Sequence, residues 1–431
     1  MLDIRRIREN PEEVKALLRR KGIEAPIDRI LELDAERRRL LSQIEVGKAE
    51  RNRTSAVIAE RKRTGEPAEE LVEAMRLLGQ RIAEEEARLG PVEEELEQLL
   101  LTVPNTPLPD VPEGRGSEDN VEVYRYLEPP QQAFQPQPHW EVGERLRLLD
   151  FERAHKLSGA RFTVLVGWGA RLSRALINFM IEHAVERGYQ EMEPPVLVNR
   201  DAMVGTGQFP KFVEDVFRVV PHEYYLIPTA EVPLTNYHRG EILDEAELPR
   251  RYVAYTPCFR SEAGAAGRDT RGLIRQHQFD KVELVQLVRP DQSEAALEQM
   301  RRDAELVLER LGLPFRTVLL CGGDMGFGQA KTYDLEVWMP SYGRYVEISS
   351  VSNMTDFQAR RANIRYRARA TRKTDWVHTL NGSALAVGRT IAALLENCQQ
   401  EDGTIAVPDA LVPYFGGIST ITPQLSTGLA P

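Results

Sequence analysis

From Leu71 onward the apolar residues fall at Leu71, Met75, Leu78, Ile82, Leu89, Val92, Leu96 and Leu99, a 4,3 alternation interrupted only at Glu85. That spacing defines a helix with one narrow apolar seam, and such a seam needs a second helix to cover it. The candidate lies upstream, where Ile30, Leu33, Leu40, Ile44 and Ile58 keep the same repeat while Arg37, Gly47, Arg51 and Thr54 occupy intervening seam positions. Between the two runs, Gly65 and Pro67 stop one helix and the acidic residues that follow suit the start of the next. The expectation is an antiparallel helical hairpin over residues 28–100. At about 1.5 Å per residue each leg reaches on the order of 50 Å, so the hairpin should project as an arm.

The legs differ in charge. Residues 1–65 carry 17 Lys/Arg against 12 Asp/Glu, net +5, whereas residues 66–120 carry 4 against 15, net −11. Arg37, Arg38, Arg39, Lys48, Arg51, Arg53, Arg61, Lys62 and Arg63 make the first leg a candidate for phosphate contacts. A dimerising coiled coil or a plain solvated helix pair fits the same residues. Over all 431 residues, 56 Lys/Arg against 66 Asp/Glu give a net charge of −10, which excludes a bulk polycation of the histone kind. The three cysteines, Cys258, Cys321 and Cys398, are too few for a disulfide framework and too far apart for a zinc ribbon. No window approaches the roughly 18 apolar residues that span a bilayer. A soluble protein of a reducing, cytoplasmic compartment is expected, with no membrane partner.

The stretch VPNTPLPDVPEGRGSEDN is rich in Pro, Gly and Asp and lacks helical periodicity. It sets a boundary near Thr102: an N-terminal domain over 1–102, a linker over 103–120 and a second domain over 121–431. In the second domain, apolar runs such as RFTVLVG, EYYLIPT, YVAYTP, KVELVQLV, YDLEVWM and YVEISSV read as strands. Helical patterns interrupt them near 169–187, 292–312 and 385–398. That order predicts an α+β fold, an antiparallel sheet flanked by helices, preceded by the helical arm.

No G-x-x-x-x-G-K-[ST] loop is present, and GGDMGFG has neither the spacing nor the following helix of a dinucleotide loop. Arginines must therefore handle any phosphate. The segment FRSEAGAAGRDTRGLIRQHQFDKVE reads as a strand ending at Phe259, Arg260, Ser261 and Glu262, a Gly/Ala-rich loop and a returning strand. On that strand the even spacing of Arg275, Phe279 and Glu283 puts guanidinium, aromatic ring and carboxylate on one face. Such a face can fork onto phosphate, stack a base and bind an ammonium or hydroxyl. A surface hairpin with cross-strand ion pairs fits these residues equally well.

This hairpin resembles motif 2 of the class II aminoacyl-tRNA synthetases. RGYQEMEPPVLVN resembles their motif 1, with Pro195 in place of the interface proline, and LNGSALAVGRTIAALLEN resembles motif 3. PTAEVPLTN, GDMGFGQAKTYDLEVW, EISSVSN and DFQARR resemble the bacterial-type seryl-tRNA synthetases, over almost the whole chain. The resemblance implies ATP-dependent ligation of L-serine to tRNA(Ser), and to tRNA(Sec) where that tRNA exists, by a homodimer using Mg²⁺. Arg260, Arg275 and Arg389 would be catalytic. Arg260, Ser261, Glu262, Arg275, Phe279, Glu347, Ile348, Ser349, Ser350 and Arg389 would bind ATP, with Glu347 and Ser350 as magnesium ligands. Thr229, Ala230, Glu231, Arg260, Glu283, Asn381 and Ser383 would bind serine, and Arg37, Arg38, Lys48, Arg51 and Arg53 would meet tRNA. Zinc is not expected. Val351 stands where the family often has Cys, a change expected to be silent, and the tail LSTGLAP is expected to be disordered. An amino acid:carrier-protein ligase and a non-catalytic RNA-binding paralogue are the alternatives. The basic arm disfavours the first, and the intact Arg260, Glu262, Arg275, Glu347 and Arg389 disfavour the second.

Overall fold

The computed structural model describes residues 1–130, 134–263 and 271–423, so the tail LSTGLAP lies outside the described residues. Two compact units emerge. Leu2–Arg19 and Ile23–Pro104 form a helical unit, while Met1, Arg20–Gly22 and Asn105–Pro431 form the larger one.

The helical unit contains α1 (Ile4–Glu9), α2 (Pro11–Arg20), α3 (Ile27–Thr64) and α4 (Glu69–Thr102). The first two, which the heptad pattern does not reveal, bury Ile7, Val14 and Leu18. The seam falls where the repeat puts it. Ile30, Leu33, Leu40 and Ile44 of α3 and Ile82 and Leu96 of α4 are buried, and Leu71, Met75, Leu78, Leu89, Val92 and Leu99 are half-buried. Gly47 is part of the packing: a Cβ there would lie 2.9 Å from Cγ1 of Ile82, so glycine is what admits that side chain. Gly65 ends α3 in the left-handed conformation (φ 76°), with its N–H donating to the Arg61 carbonyl. Arg29–Glu95 at 2.9 Å, Arg37–Glu93 at 2.8 Å and Lys48–Glu86 at 2.7 Å tie the basic leg to the acidic one. Opposite charge thus pairs the legs.

The larger unit is built on eight strands: β1 (Val121–Tyr126), β2 (Gln190–Glu191), β3 (Arg250–Phe259), β4 (Gln278–Val288), β5 (Phe315–Leu319), β6 (Lys331–Met339), β7 (Arg344–Thr355) and β8 (His378–Ala386). Their order is β1-β5-β6-β7-β8-β4-β3-β2. Every pairing is antiparallel except β2 with β3. The fold is the expected α+β. Helices α5 (Trp168–Glu186), α7 (Ser293–Arg310) and α9 (Val387–Asn397) bury Phe179, Leu308 and Leu394 in one core with Val282 and Leu284 of β4. Val285 and Leu287, on the other face of β4, pack in a second core with Ala230, Ala359 and Leu234. These come from or adjoin two short helices, α6 (Glu231–Asn236) and α8 (Phe357–Ala362).

Two strand expectations need correction. RFTVLVG forms only a two-residue strand, Val164–Leu165, because Arg161 (φ 62°) and Gly167 (φ 51°) turn the chain on either side. Arg275 does not lie on the returning strand, which begins at Gln278. It sits in the bend before it, as Arg260–Glu262 sit just past the end of β3.

Candidate active site

A cavity of about 580 Å³ opens on the sheet face that carries Phe279, Lys281 and Glu283. Alternation along β4 sets these three on the side away from Val282 and Leu284. The cavity gathers Thr229, Glu231, Arg260, Glu262, Arg275, Phe279, Glu283, Glu347, Ile348, Ser349, Ser350, Asn381, Ser383 and Arg389. Ala230 and Ser261 do not line it. Ala230 is fully buried in the second core, and the Ser261 hydroxyl donates to the Glu214 carbonyl at 2.7 Å, fixing the loop.

One end is buried and acidic. Glu231 opens α6, and its Oε1 accepts from Gln358 Nε2 at 2.6 Å and from Asn381 Nδ2 at 3.0 Å. Both donors converge on one oxygen, so Oε2 is left for a ligand. The Gln358 carbonyl oxygen accepts in turn from the Thr379 hydroxyl at 2.6 Å, which fixes the amide's orientation. Glu283 faces Ser383 across the β4–β8 register, and the Ser383 hydroxyl donates to it at 3.1 Å. Lys281 Nζ lies 2.6 Å from Glu283 and donates to Thr229 Oγ1 at 2.9 Å. Glu283 therefore has a fixed counter-charge, whereas Glu231 forms no ion pair among the described residues. Burial, and secondarily Glu283, push the Glu231 carboxyl up to about 7. Lys281 and Gln358 were missed by motif matching. Even spacing with Phe279 and Glu283 was the signal for Lys281; Gln358 lies within the run DFQARR, but nothing in that run gave it a role beside Glu231.

The other end is cationic and aromatic. The Arg260 guanidinium lies over the Phe279 ring, 5.2 Å from its centre, and its Nε donates to the Pro228 carbonyl at 3.3 Å. Arg275 pairs with Glu262 at 2.8 Å. Glu262 has φ 53°, a left-handed conformation that turns the chain just beyond β3. Arg389, in the first turn of α9, donates to the carbonyls of Ile274 at 3.1 Å and Glu347 at 2.7 Å. The Ser349 hydroxyl donates to the Ser383 carbonyl at 2.6 Å, and Ile348 is core, so those two support the wall rather than present polar groups. Ser350 stands opposite Asp334 in the β6–β7 register. Burial, and next Glu347, hold the Asp334 carboxyl well above the usual carboxylate range. Its Oδ1 is buried with no hydrogen-bond partner among the described residues. Among the described residues no cluster of three or more His, Cys, Asp and Glu gathers as a metal site. The oxygen-only set of Glu347 and Ser350 suits a hard cation that completes its shell from phosphate.

On the helical unit, Arg51 and Arg53 are exposed without an acidic partner among the described residues. Arg37 and Lys48 pair with the opposite leg, and Arg38 lies 3.1 Å from Asp34. No helix among the described residues is long and apolar enough to cross a membrane.

The family profile of the tRNA synthetase class II core domain (G, H, P, S and T) matches residues 216–398, which supply nearly all of the cavity. The larger unit is therefore of the class II aminoacyl-tRNA synthetase kind. The profile of the seryl-tRNA synthetase N-terminal domain matches residues 1–107. The serine–tRNA ligase of Carboxydothermus hydrogenoformans is 55% identical over 417 residues, covering 96% of this chain and 98% of that protein. That of Geobacillus kaustophilus is 56% identical over 423 residues, covering 98% and 100%. The solved structure of seryl-tRNA synthetase from Pyrococcus horikoshii complexed with ATP has a TM-score of 0.92 at 40% identity, covering 98% of this chain and 100% of that one. The chain belongs to the seryl-tRNA synthetase family.

Proposed function

We propose that the protein joins L-serine to tRNA(Ser) through a seryl-adenylate, and serylates tRNA(Sec) where that tRNA exists. The observation that carries this reading is a single cavity with a buried carboxylate pair at one end and arginines around an aromatic ring at the other. Serine's ammonium meets Glu231 Oε2 and its hydroxyl meets Glu283, whose charge Lys281 already balances. Arg260 holds the serine carboxylate against the α-phosphate, Phe279 stacks on adenine and Glu262 accepts from the adenine amino group. Arg275 and Arg389 neutralise the outer phosphates.

The serine carboxylate is ionised at pH 7 and attacks the α-phosphorus without a base. The new P–O bond forms as the bond to pyrophosphate breaks, and fixed cations stabilise the charge on the equatorial oxygens. A ribose hydroxyl at the tRNA 3′ end then attacks the adenylate carbonyl and releases AMP. The adenylate's phosphate oxygen can take the hydroxyl proton. Glu347 and Ser350 would hold Mg²⁺ together with phosphate oxygens, where it would neutralise phosphate charge.

On the arm, Arg51 and Arg53 meet the tRNA backbone directly. Arg37 and Lys48 do so by exchanging surface ion pairs, each worth only about 0–1 kcal/mol, and Arg38 by leaving the buried Asp34, which keeps Arg8 at 2.7 Å. Pro195, exposed in the protomer, supports assembly as a homodimer, and the protein works in the cytoplasm. ATP–pyrophosphate exchange with each of the twenty amino acids tests the reading. Exchange with serine alone is expected; exchange with another amino acid, or with none, would overturn it.

A further inference from the structure

Lys21 belongs to the short run Arg20–Gly22 of the larger unit. It is 5% exposed and has no carboxylate partner among the described residues. Its ammonium donates to the carbonyls of Gly326 at 2.7 Å, Gln329 at 3.0 Å and Asn105 at 3.2 Å. Asn105 supplies the rest: its backbone N–H donates to the Phe327 carbonyl at 2.9 Å and its side-chain amide to the Gly328 carbonyl at 3.0 Å. Two residues thus hold all four carbonyls of the Gly326–Gln329 turn, and that turn lines the cavity.

The turn lies at the amino-acid end. Gln329 Nε2 donates to Ser352 Oγ at 3.0 Å, and Ser352 is the register partner of Asn381, whose amide donates to Glu231. A Cβ on Gly207 would sit 3.8 Å from the Phe327 ring, and the carbonyl of the neighbouring Thr206 accepts from Gln358, the other donor to Glu231. An ammonium buried without a counter-charge is costly. Burial, and secondarily Lys211, hold the Lys21 amine down to about 7. An unbranched apolar side chain would fill the same space without that cost, so what lysine contributes here is its N–H donors.

We infer that Lys21, with Asn105, is a positioning residue for serine activation, its ammonium fixing the Gly326–Gln329 turn as a wall of the amino-acid pocket. This rests on the function proposed above. Lys21→Met in the full-length protein removes the donors and keeps the bulk. Hydrogen–deuterium exchange over 323–332 should speed up, the KM for serine in pyrophosphate exchange should rise about tenfold, equivalent to about 1.4 kcal/mol, and the KM for ATP should stay within about twofold. Asn105→Ala, which frees a single side-chain contact of the turn, should move the same readouts less and serves if Lys21→Met fails to fold. Faster turn exchange with an unchanged serine KM would reduce Lys21 to a structural role and overturn the inference, as would unchanged turn exchange or equal rises in both KM values. A wild type without serine-dependent exchange would overturn the functional reading and this inference with it, whereas the outcomes above, read beside an active wild type, overturn the inference alone.

Discussion

Glu231→Gln separates the charge of the amino-acid pocket from its shape. Gln358 and Asn381 both donate to Oε1, so glutamine can keep its carbonyl oxygen there and must turn its NH₂ toward the position of Oε2. The incoming ammonium then loses a carboxylate and meets a donor. Losing one charge-assisted contact in a desolvated site and leaving a buried ammonium unpaired costs about 3–4 kcal/mol, so kcat/KM for serine should fall roughly 10²–10³-fold. ATP binding, which the proposed function assigns to the other end of the cavity, should change less than about threefold. The wild-type carboxyl titrates near 7 because of burial and Glu283. Its kcat/KM for serine should therefore climb as pH rises through 7, and that limb should vanish in Glu231→Gln. Stability carries the opposite sign. The folded value lies above the ordinary 4.5, so between pH 4.5 and about 7 the unfolded chain ionises first and folding loses free energy, fully so above 7. Glu231→Gln escapes that loss and should melt higher than wild type at pH 8. Pyrophosphate exchange between pH 6 and 8.5, with calorimetric melting at pH 5 and 8, measures all of this. An unchanged serine KM in a folded variant, or a wild-type profile flat from pH 6 to 8, would refute the reasoning.

Arg260→Ala should abolish adenylate formation with circular dichroism and melting near wild type, because the guanidinium sits over Phe279 at the cavity wall rather than in a core; near-normal exchange would remove Arg260 from the chemistry. Ser383→Ala removes the hydroxyl that donates to Glu283 and should raise the serine KM about tenfold while narrowing the preference for serine over alanine, read from exchange with each amino acid. Replacing residues 28–100 with a short linker should leave serine-dependent exchange within a few fold, since every cavity residue lies outside that stretch, and should sharply reduce charging of tRNA. The salt dependence of tRNA binding should flatten, each lost phosphate contact removing about 0.7–0.9 from the log–log slope; a shortened protein that charges at the normal rate would refute an RNA-binding arm.

The arm was readable because its signal is periodic and local: heptad spacing, the Gly65 stop and opposite leg charges each act within a few turns of helix. The sheet was readable in kind, since β4, β6 and β7 follow apolar runs, but RFTVLVG was not, because the positive φ of its two end residues, Arg161 and Gly167, cannot be inferred from apolar content. Arg275 reached the cavity for a reason other than strand parity, through a bend anchored before β4. Motif matching found most of the side chains that line the cavity. It passed over those that face other side chains: Lys281 between Thr229 and Glu283, Gln358 behind Glu231, Asp334 opposite Ser350 and Lys21 on the Gly326–Gln329 turn. Their roles depend on register and on contacts between segments up to 308 residues apart, which no local pattern encodes.

The central claim is that one cavity activates serine and delivers it to RNA. It is tested most directly by incubating the intact protein with ATP, labelled serine and unfractionated tRNA, and following both acid-precipitable label and AMP. The account predicts serine esterified to a minor, serine-accepting fraction of the tRNA, with at least one AMP per serine transferred and no label on tRNA whose 3′ ribose has been oxidised. AMP release with label left free or attached to protein would contradict it.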